Sequence, residues 1–137
     1  MRVVNRLKKI LRTSFSMLTG AGLLYWLART WLRVKGEFGD EPHWLEKVAG
    51  PIHILAAFFF LVVLGMFWSE HVRAAIRVER HRLTGWLFIG AIVGLALTGT
   101  GLLYIGRESV LTLLGKIHPI IGASLIPILI VHWRKKA

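Results

Sequence analysis

Four apolar runs, each about twenty residues long, constrain this chain more than any other feature. They lie at about 13–34, 49–68, 83–105 and 115–133, the second continuing as a polar extension to about 76. A bilayer's hydrocarbon core is about 30 Å thick, and about 20 helical residues cross it. Within lipid no water satisfies backbone N–H and C=O groups, so a spanning segment must be a helix or part of a closed barrel. Four runs of this length predict four helices. The expected fold is therefore all-α and integral to the membrane: a four-transmembrane-helix bundle occupying 1–137 as a single domain, with helices at about 13–34, 49–76, 83–105 and 115–133. A soluble bundle would carry a polar face on each helix, which these runs lack.

The balance of residues supports this solvent. Apolar residues make up 55% of the chain and charged ones only 18%, and the mean hydropathy is +0.59. Without cysteine, disulfides, iron–sulfur clusters, thiol catalysis and covalently attached c-type haem are excluded. The basic start at Arg2, Arg6, Lys8, Lys9 and Arg12 precedes an apolar run too long for a signal peptide, which reads as a retained helix. A net charge of +11 raises the possibility of nucleic-acid binding, but its distribution answers otherwise. The N-terminus, the 69–82 connection and the C-terminus hold twelve of the eighteen Lys and Arg, against two acids, Glu70 and Glu79. The opposite side holds the remaining six basic residues and five acids. Basic residues stay on the cytoplasmic side. This places both termini in the cytoplasm of a multi-pass inner-membrane protein, and nucleic acid is not needed to explain the charge.

Histidine is the residue that does not belong in such runs. His118 and His132 lie fourteen residues apart in the last run, on one side of a helix and about 21 Å apart along it. An imidazole in lipid needs a partner and points to function. An internal repeat supplies one. Leu18-Thr19-Gly20-Ala21-Gly22-Leu23-Leu24-Tyr25 returns as Leu97-Thr98-Gly99-Thr100-Gly101-Leu102-Leu103-Tyr104, seven of eight residues matching. Gly50-Pro51-Ile52-His53 returns as Gly115-Lys116-Ile117-His118. The bundle thus reads as two parallel two-helix repeats related by a pseudo-twofold along the membrane normal. That axis would set His53 opposite His118 near the outer face, the arrangement of axial ligands that a b-type haem requires. At the inner end the residue equivalent to His132 is Phe67. His71, one turn further on, is the expected partner of His132, and His81 competes with it.

The glycines fit either a flat macrocycle or close helix packing. Gly122 shares a helix face with His118, and Gly90, Gly94, Gly99, Gly101, Gly20 and Gly22 clear further stripes; small residues also let helix backbones approach each other. Arg77, Arg80 and Arg82 could meet haem propionates or lipid phosphates, and topology explains them equally well. His43 belongs to the outer loop. No nucleophile–base pair, phosphate loop or intramembrane carboxylate is evident, which argues against a hydrolase or a proton-coupled transporter.

Ile-His at the heads of the second and fourth helices, continued in the fourth as Pro119-x-x-Gly122, the fourteen-residue His–His spacing ahead of Trp133, and Leu-Thr-Gly near the outer ends of the other helices resemble a known family. It is the four-helix di-haem cytochrome b family, which includes the gamma subunit of formate dehydrogenase and the cytochrome b subunit of nickel–iron hydrogenase. The resemblance covers most of the chain and is most specific in the fourth helix. It implies two stacked b haems, with His53 and His118 as outer ligands and His132 as one inner ligand. It also implies electron transfer between a periplasmic redox partner and membrane quinone, as a subunit of a larger respiratory oxidoreductase rather than a stand-alone enzyme. The family takes its other inner ligand from a His-Trp near the start of its first helix, where this chain has no histidine. Two alternatives stand beside this expectation: a mono-haem protein using only His53 and His118, and a haem-free anchoring or assembly subunit.

Overall fold

A computed structural model of the chain describes residues 2–68 and 82–134, with side chains over 6–68 and 83–131. The element order is α1 (Arg2–Trp31), β1 (Val34–Gly36), β2 (Gly39–Glu41), α2 (Trp44–Phe67), α3 (Arg82–Tyr104) and α4 (Glu108–Arg134). Among the described residues three helices are long and apolar enough to cross a membrane: Trp44–Phe67, Leu83–Tyr104 and Glu108–Val131. The 30-residue α1 has the length, but Thr13, Ser14, Ser16, Thr19 and Arg29 dilute its apolar character, and it is not among the three.

The chain divides into two compact units, Met1–Ala74 and Ala75–Ala137. They coincide with the two copies of the sequence repeat, and each is an antiparallel helical hairpin, α1 with α2 and α3 with α4.

In the first hairpin the seam follows a seven-residue spacing. Ser14, Ala21 and Ala28 are buried on α1, and Leu18 and Tyr25 interleave with them. On α2, buried Glu46, Phe60 and Phe67 form one row with half-buried His53, while buried Ala49 and Val63 form the other. Positions repeating at this interval keep one face toward a neighbouring helix crossing at a shallow angle. Small residues dominate the α1 side, with Ala28 fully buried. Lipid tails are as apolar as leucine, so two membrane helices gain little from hiding leucines and much from close contact. Phe15 packs on Phe60 with ring centroids 5.8 Å apart. Leu55 is 68% exposed and Phe58 64% exposed; these surfaces suit a lipid solvent.

Helix α1 runs from Arg2 to Trp31 where about 13–34 is expected, and two further boundaries differ, each for a local reason. Helix α2 starts at Trp44, not 49, because His43 caps it: its Nδ1 accepts from the Leu45 N–H at 3.2 Å. Helix α4 starts at Glu108, where a loop to 114 is expected. The Arg107 carbonyl accepts from the N–H groups of Val110 and Leu111 at 3.1 and 3.0 Å, and the Glu108 carboxylate favours the positive end of the helix dipole. The expected outer loop also holds an antiparallel β-hairpin, with Val34 opposite Glu41, Lys35 opposite Asp40, and Gly36 opposite Gly39. Its turn is Glu37-Phe38, and Gly39 takes φ +123°, a backbone region open to glycine and strained for other residues.

The second hairpin also sets glycines against its facing helix. A Cβ on Gly94 would lie 3.5 Å from Ile121 Cδ1, and one on Gly122 would lie 3.9 Å from Leu95 Cδ2. These are ordinary packing distances, so both glycines serve contact between α3 and α4. Pro119 and Pro127 lie inside α4 and free the carbonyls of Gly115 and Ala123 from the helical ladder.

Candidate cofactor site

His53 is placed by the seam of the first hairpin. It lies seven residues after Glu46 and seven before Phe60, so α2 presents it to α1. There it meets Gly22, where an added Cβ would stand 2.7 Å from His53 Cε1 and 2.8 Å from Nδ1. Only glycine leaves room for the ring in this position. The imidazole Nδ1 lies 3.1 Å from the Leu18 carbonyl oxygen. A carbonyl oxygen can only accept, so Nδ1 carries the proton and donates it.

His118 is held in the second hairpin by a different group. Its Nδ1 lies 2.8 Å from Thr98 Oγ1. Thr98 Oγ1 also lies 2.7 Å from the Gly94 carbonyl oxygen and 3.2 Å from that of Leu95. Two oxygens at 2.7 Å need a hydrogen between them, and only the hydroxyl can provide it. The hydroxyl therefore donates to Gly94 and accepts from His118 Nδ1. The proton again sits on Nδ1, through a two-bond relay that ends on a backbone carbonyl. Gly99 flanks the ring, with a Cβ there reaching His118 Cε1 at 3.3 Å.

Both rings are thus fixed in one tautomer, with the lone pair on Nε2. This is the form in which histidine binds a metal, and anchoring the other nitrogen is how proteins orient such ligands. The acceptors are not repeat-equivalent. Thr98 aligns with Thr19, whereas His53 uses the carbonyl of Leu18, one residue earlier. The bordering glycines differ as well: Gly22 aligns with Gly101, whereas His118 meets Gly99, which aligns with Gly20.

The end of the first hairpin nearest the β-hairpin holds a charged network, of which sequence reasoning places Glu46 in a loop and Arg29 and Arg33 at the end of the first apolar run. Glu46, 7% exposed, accepts from Arg33 at both oxygens, Nε to Oε2 at 3.0 Å and Nη2 to Oε1 at 2.6 Å. Arg29 Nη1 lies 3.9 Å from Glu46 Oε1 and donates to the Tyr25 hydroxyl at 2.9 Å. The hydrogen bond to Glu46 is the main reason the Arg33 guanidinium holds its proton above its ordinary range, against a smaller opposing effect of desolvation. The readable signal was the pair itself: opposite charges at Arg33 and Glu46 flanking the segment that joins the first two apolar runs.

The remaining predicted ligands divide. His71 and His81 lie outside the described residues. Helix α4 runs unbroken through His132, whose side chain also lies outside them. His43 serves as the α2 cap and packs beside Trp44, ring centroids 5.6 Å apart.

Among the described residues no three His, Asp or Glu side chains converge on a point, so no bare-ion site of three protein ligands is formed there. A macrocycle brings its own equatorial nitrogens and asks the protein only for axial ligands and an apolar surround. His53 and His118, half-buried and fixed through Nδ1, have the chemistry of that donor set. No protein-family model, no curated protein and no solved structure matches this chain.

Proposed function

We propose that this chain is a b-type cytochrome of the inner membrane, resembling the four-helix di-haem cytochrome b family. It would carry electrons across the bilayer between a periplasmic redox partner and quinone, as one subunit of a larger oxidoreductase. In this reading α1 is the fourth span: at 30 residues it extends about 45 Å. By their repeat-related positions, His53 and His118 would serve as Nε2 ligands of the outer haem, and His132 with His71, or His81 in its place, as ligands of the inner one. Both termini face the cytoplasm.

The observation that supports this reading best is the matched locking of two repeat-related histidines by hydrogen bonds from Nδ1. A merely structural histidine needs only one satisfied nitrogen and no counterpart. Bound haem supplies the one-electron couple. The chain supplies fixed imidazoles, whose hydrogen bonds raise their basicity and so favour the oxidised iron, and an apolar surround that favours the less charged, reduced iron. The balance of these two sets the potential.

The deciding measurement is haem per chain in the purified protein by pyridine haemochrome, with the low-spin spectrum of bis-His ligation. Two haems are expected, and His118→Ala should remove one. One haem in the parent protein selects the mono-haem form with His53 and His118 alone. A colourless protein after haem-supplemented expression selects a haem-free anchor and ends the cytochrome reading.

A further inference from the structure

The charged network at the end of the first hairpin nearest the β-hairpin holds one more positive charge than it uses. Two guanidinium groups, Arg29 and Arg33, share the single carboxylate of Glu46. Arg33 takes both carboxylate oxygens, at 3.0 and 2.6 Å. Arg29 is left at 3.9 Å from one of them. Its one hydrogen bond among the described residues goes to a neutral phenol, Tyr25, at 2.9 Å. Its side chain is 57% exposed, and most of its five N–H donors remain unused there. A guanidinium so placed is set up to receive a second anion from outside the hairpin.

Its position says which anion. Leu18, Gly22, Tyr25 and Arg29 follow one another at steps of four, three and four residues, a single stripe along α1. The facing residues on α2 are His53, Gly50 and Glu46. Gly22 touches the His53 ring, and Tyr25 lies 3.2 Å from where a Gly50 Cβ would stand. Arg29 is therefore on the same seam as the outer histidine, seven residues or about 10 Å further toward the surface. A haem ligated by His53 carries carboxylates on its edge. In an apolar bundle these must point to the nearer polar end or be neutralised. Along this seam the polar end is Arg29. In the second copy the residue aligned with Arg29 is Glu108, and the nearest guanidinium, Arg107, stands one position earlier, where the first copy has Ala28.

We infer that Arg29 is the cationic anchor for a propionate of the outer haem, held ready by Tyr25 while Arg33 occupies Glu46. The inference rests on the cytochrome reading, and its failure is separable from the failure of that reading. Arg33 contributes indirectly, by keeping Glu46 from claiming Arg29.

The test is a spectroelectrochemical titration of the purified, haem-loaded full-length protein. Loss of the Arg29 charge should disfavour the reduced, less positive haem. In Arg29→Gln the reduced-to-oxidised ratio of one haem at fixed ambient potential should fall about tenfold, a downward shift of about 59 mV for one electron. The other haem should not move, and haem content should stay at the parent level. Arg29→Lys should recover most of the shift. Arg33→Gln, which frees Glu46 to neutralise Arg29, should lower the same midpoint. A haem-replete Arg29→Gln protein with both midpoints unchanged overturns the assignment and leaves the cytochrome reading standing; the guanidinium then serves lipid phosphate or the hairpin itself. A parent protein without haem overturns both.

Discussion

At the scale of single residues, Thr98 separates the two histidines most clearly. The His53 proton goes to a backbone carbonyl, which no substitution can remove. The His118 proton goes to a side-chain hydroxyl, which one can. In Thr98→Val the imidazole N–H loses its acceptor while the volume at the site stays nearly the same. Losing an outer-shell partner of this kind lowers metal-site affinity by about 10–100-fold. Haem titration of the apoprotein should show that loss at one site only, and Thr98→Ser should restore it. Equal affinities for the Val and Ser variants would mean that the hydroxyl is not acting as an acceptor. Histidine in the apolar runs was readable from sequence, because an ionisable residue in lipid stands out. The acceptors were not: Leu18 contributes only its backbone, and Thr98 looks like any small residue in a Leu-Thr-Gly motif until α3 turns it toward α4.

At the scale of elements, the clasp between Arg33 and Glu46 joins the chain just before β1 to the first turn of α2. A two-pronged guanidinium–carboxylate pair combines hydrogen bonding with charge, and Glu46 is buried while Arg33 is only partly exposed. Glu46→Gln should destabilise the hairpin by about 1–3 kcal/mol, read as a lower melting temperature in detergent. An unchanged melting temperature would show that the clasp is ornamental. The raised proton affinity of Arg33 gives the pH dependence. The contribution is complete below the ordinary guanidinium range and fades only in strong alkali, so this part of the stability is flat with pH across the neutral range. Element types were legible from the apolar runs, while their edges were not. The cap on α2 is a histidine, outside the usual Ser, Thr, Asp and Asn set, and Val110 to Leu114 continues a helix that Gly106 and Gly115 make look interrupted. Glycines read as space for a macrocycle proved mixed. Gly22 and Gly99 do border the two imidazoles, whereas Gly94 and Gly122 border Ile121 and Leu95.

At the scale of the whole molecule, the two folding units match the two sequence copies, so the repeat was the most informative long-range signal in the chain. It shows which segments belong together, and the seven-residue seam of the first hairpin then explains how. The topology is open to a direct test because the chain has no cysteine. Phe38, at the tip of the β-hairpin, is fully exposed, and Phe38→Cys introduces a single reactive thiol there. If the 69–82 connection and both termini face the cytoplasm, a membrane-impermeant maleimide should label this cysteine once it can reach the periplasmic side, with the inner membrane intact. Labelling only after the inner membrane is opened would invert the orientation, and with it the assignment of His53 and His118 to the outer face.

The clasp also has a practical meaning for assembly. Arg33 and Glu46 tie the chain together below the β-hairpin, so the eight residues from Val34 to Glu41 form a small rigid finger whose root is bolted to the ends of α1 and α2. Along the hairpin the ion pair lies between the Glu37-Phe38 tip and the ring of His53. In the proposed cytochrome, a redox partner on this side would meet the finger two helical turns from the ring of His53.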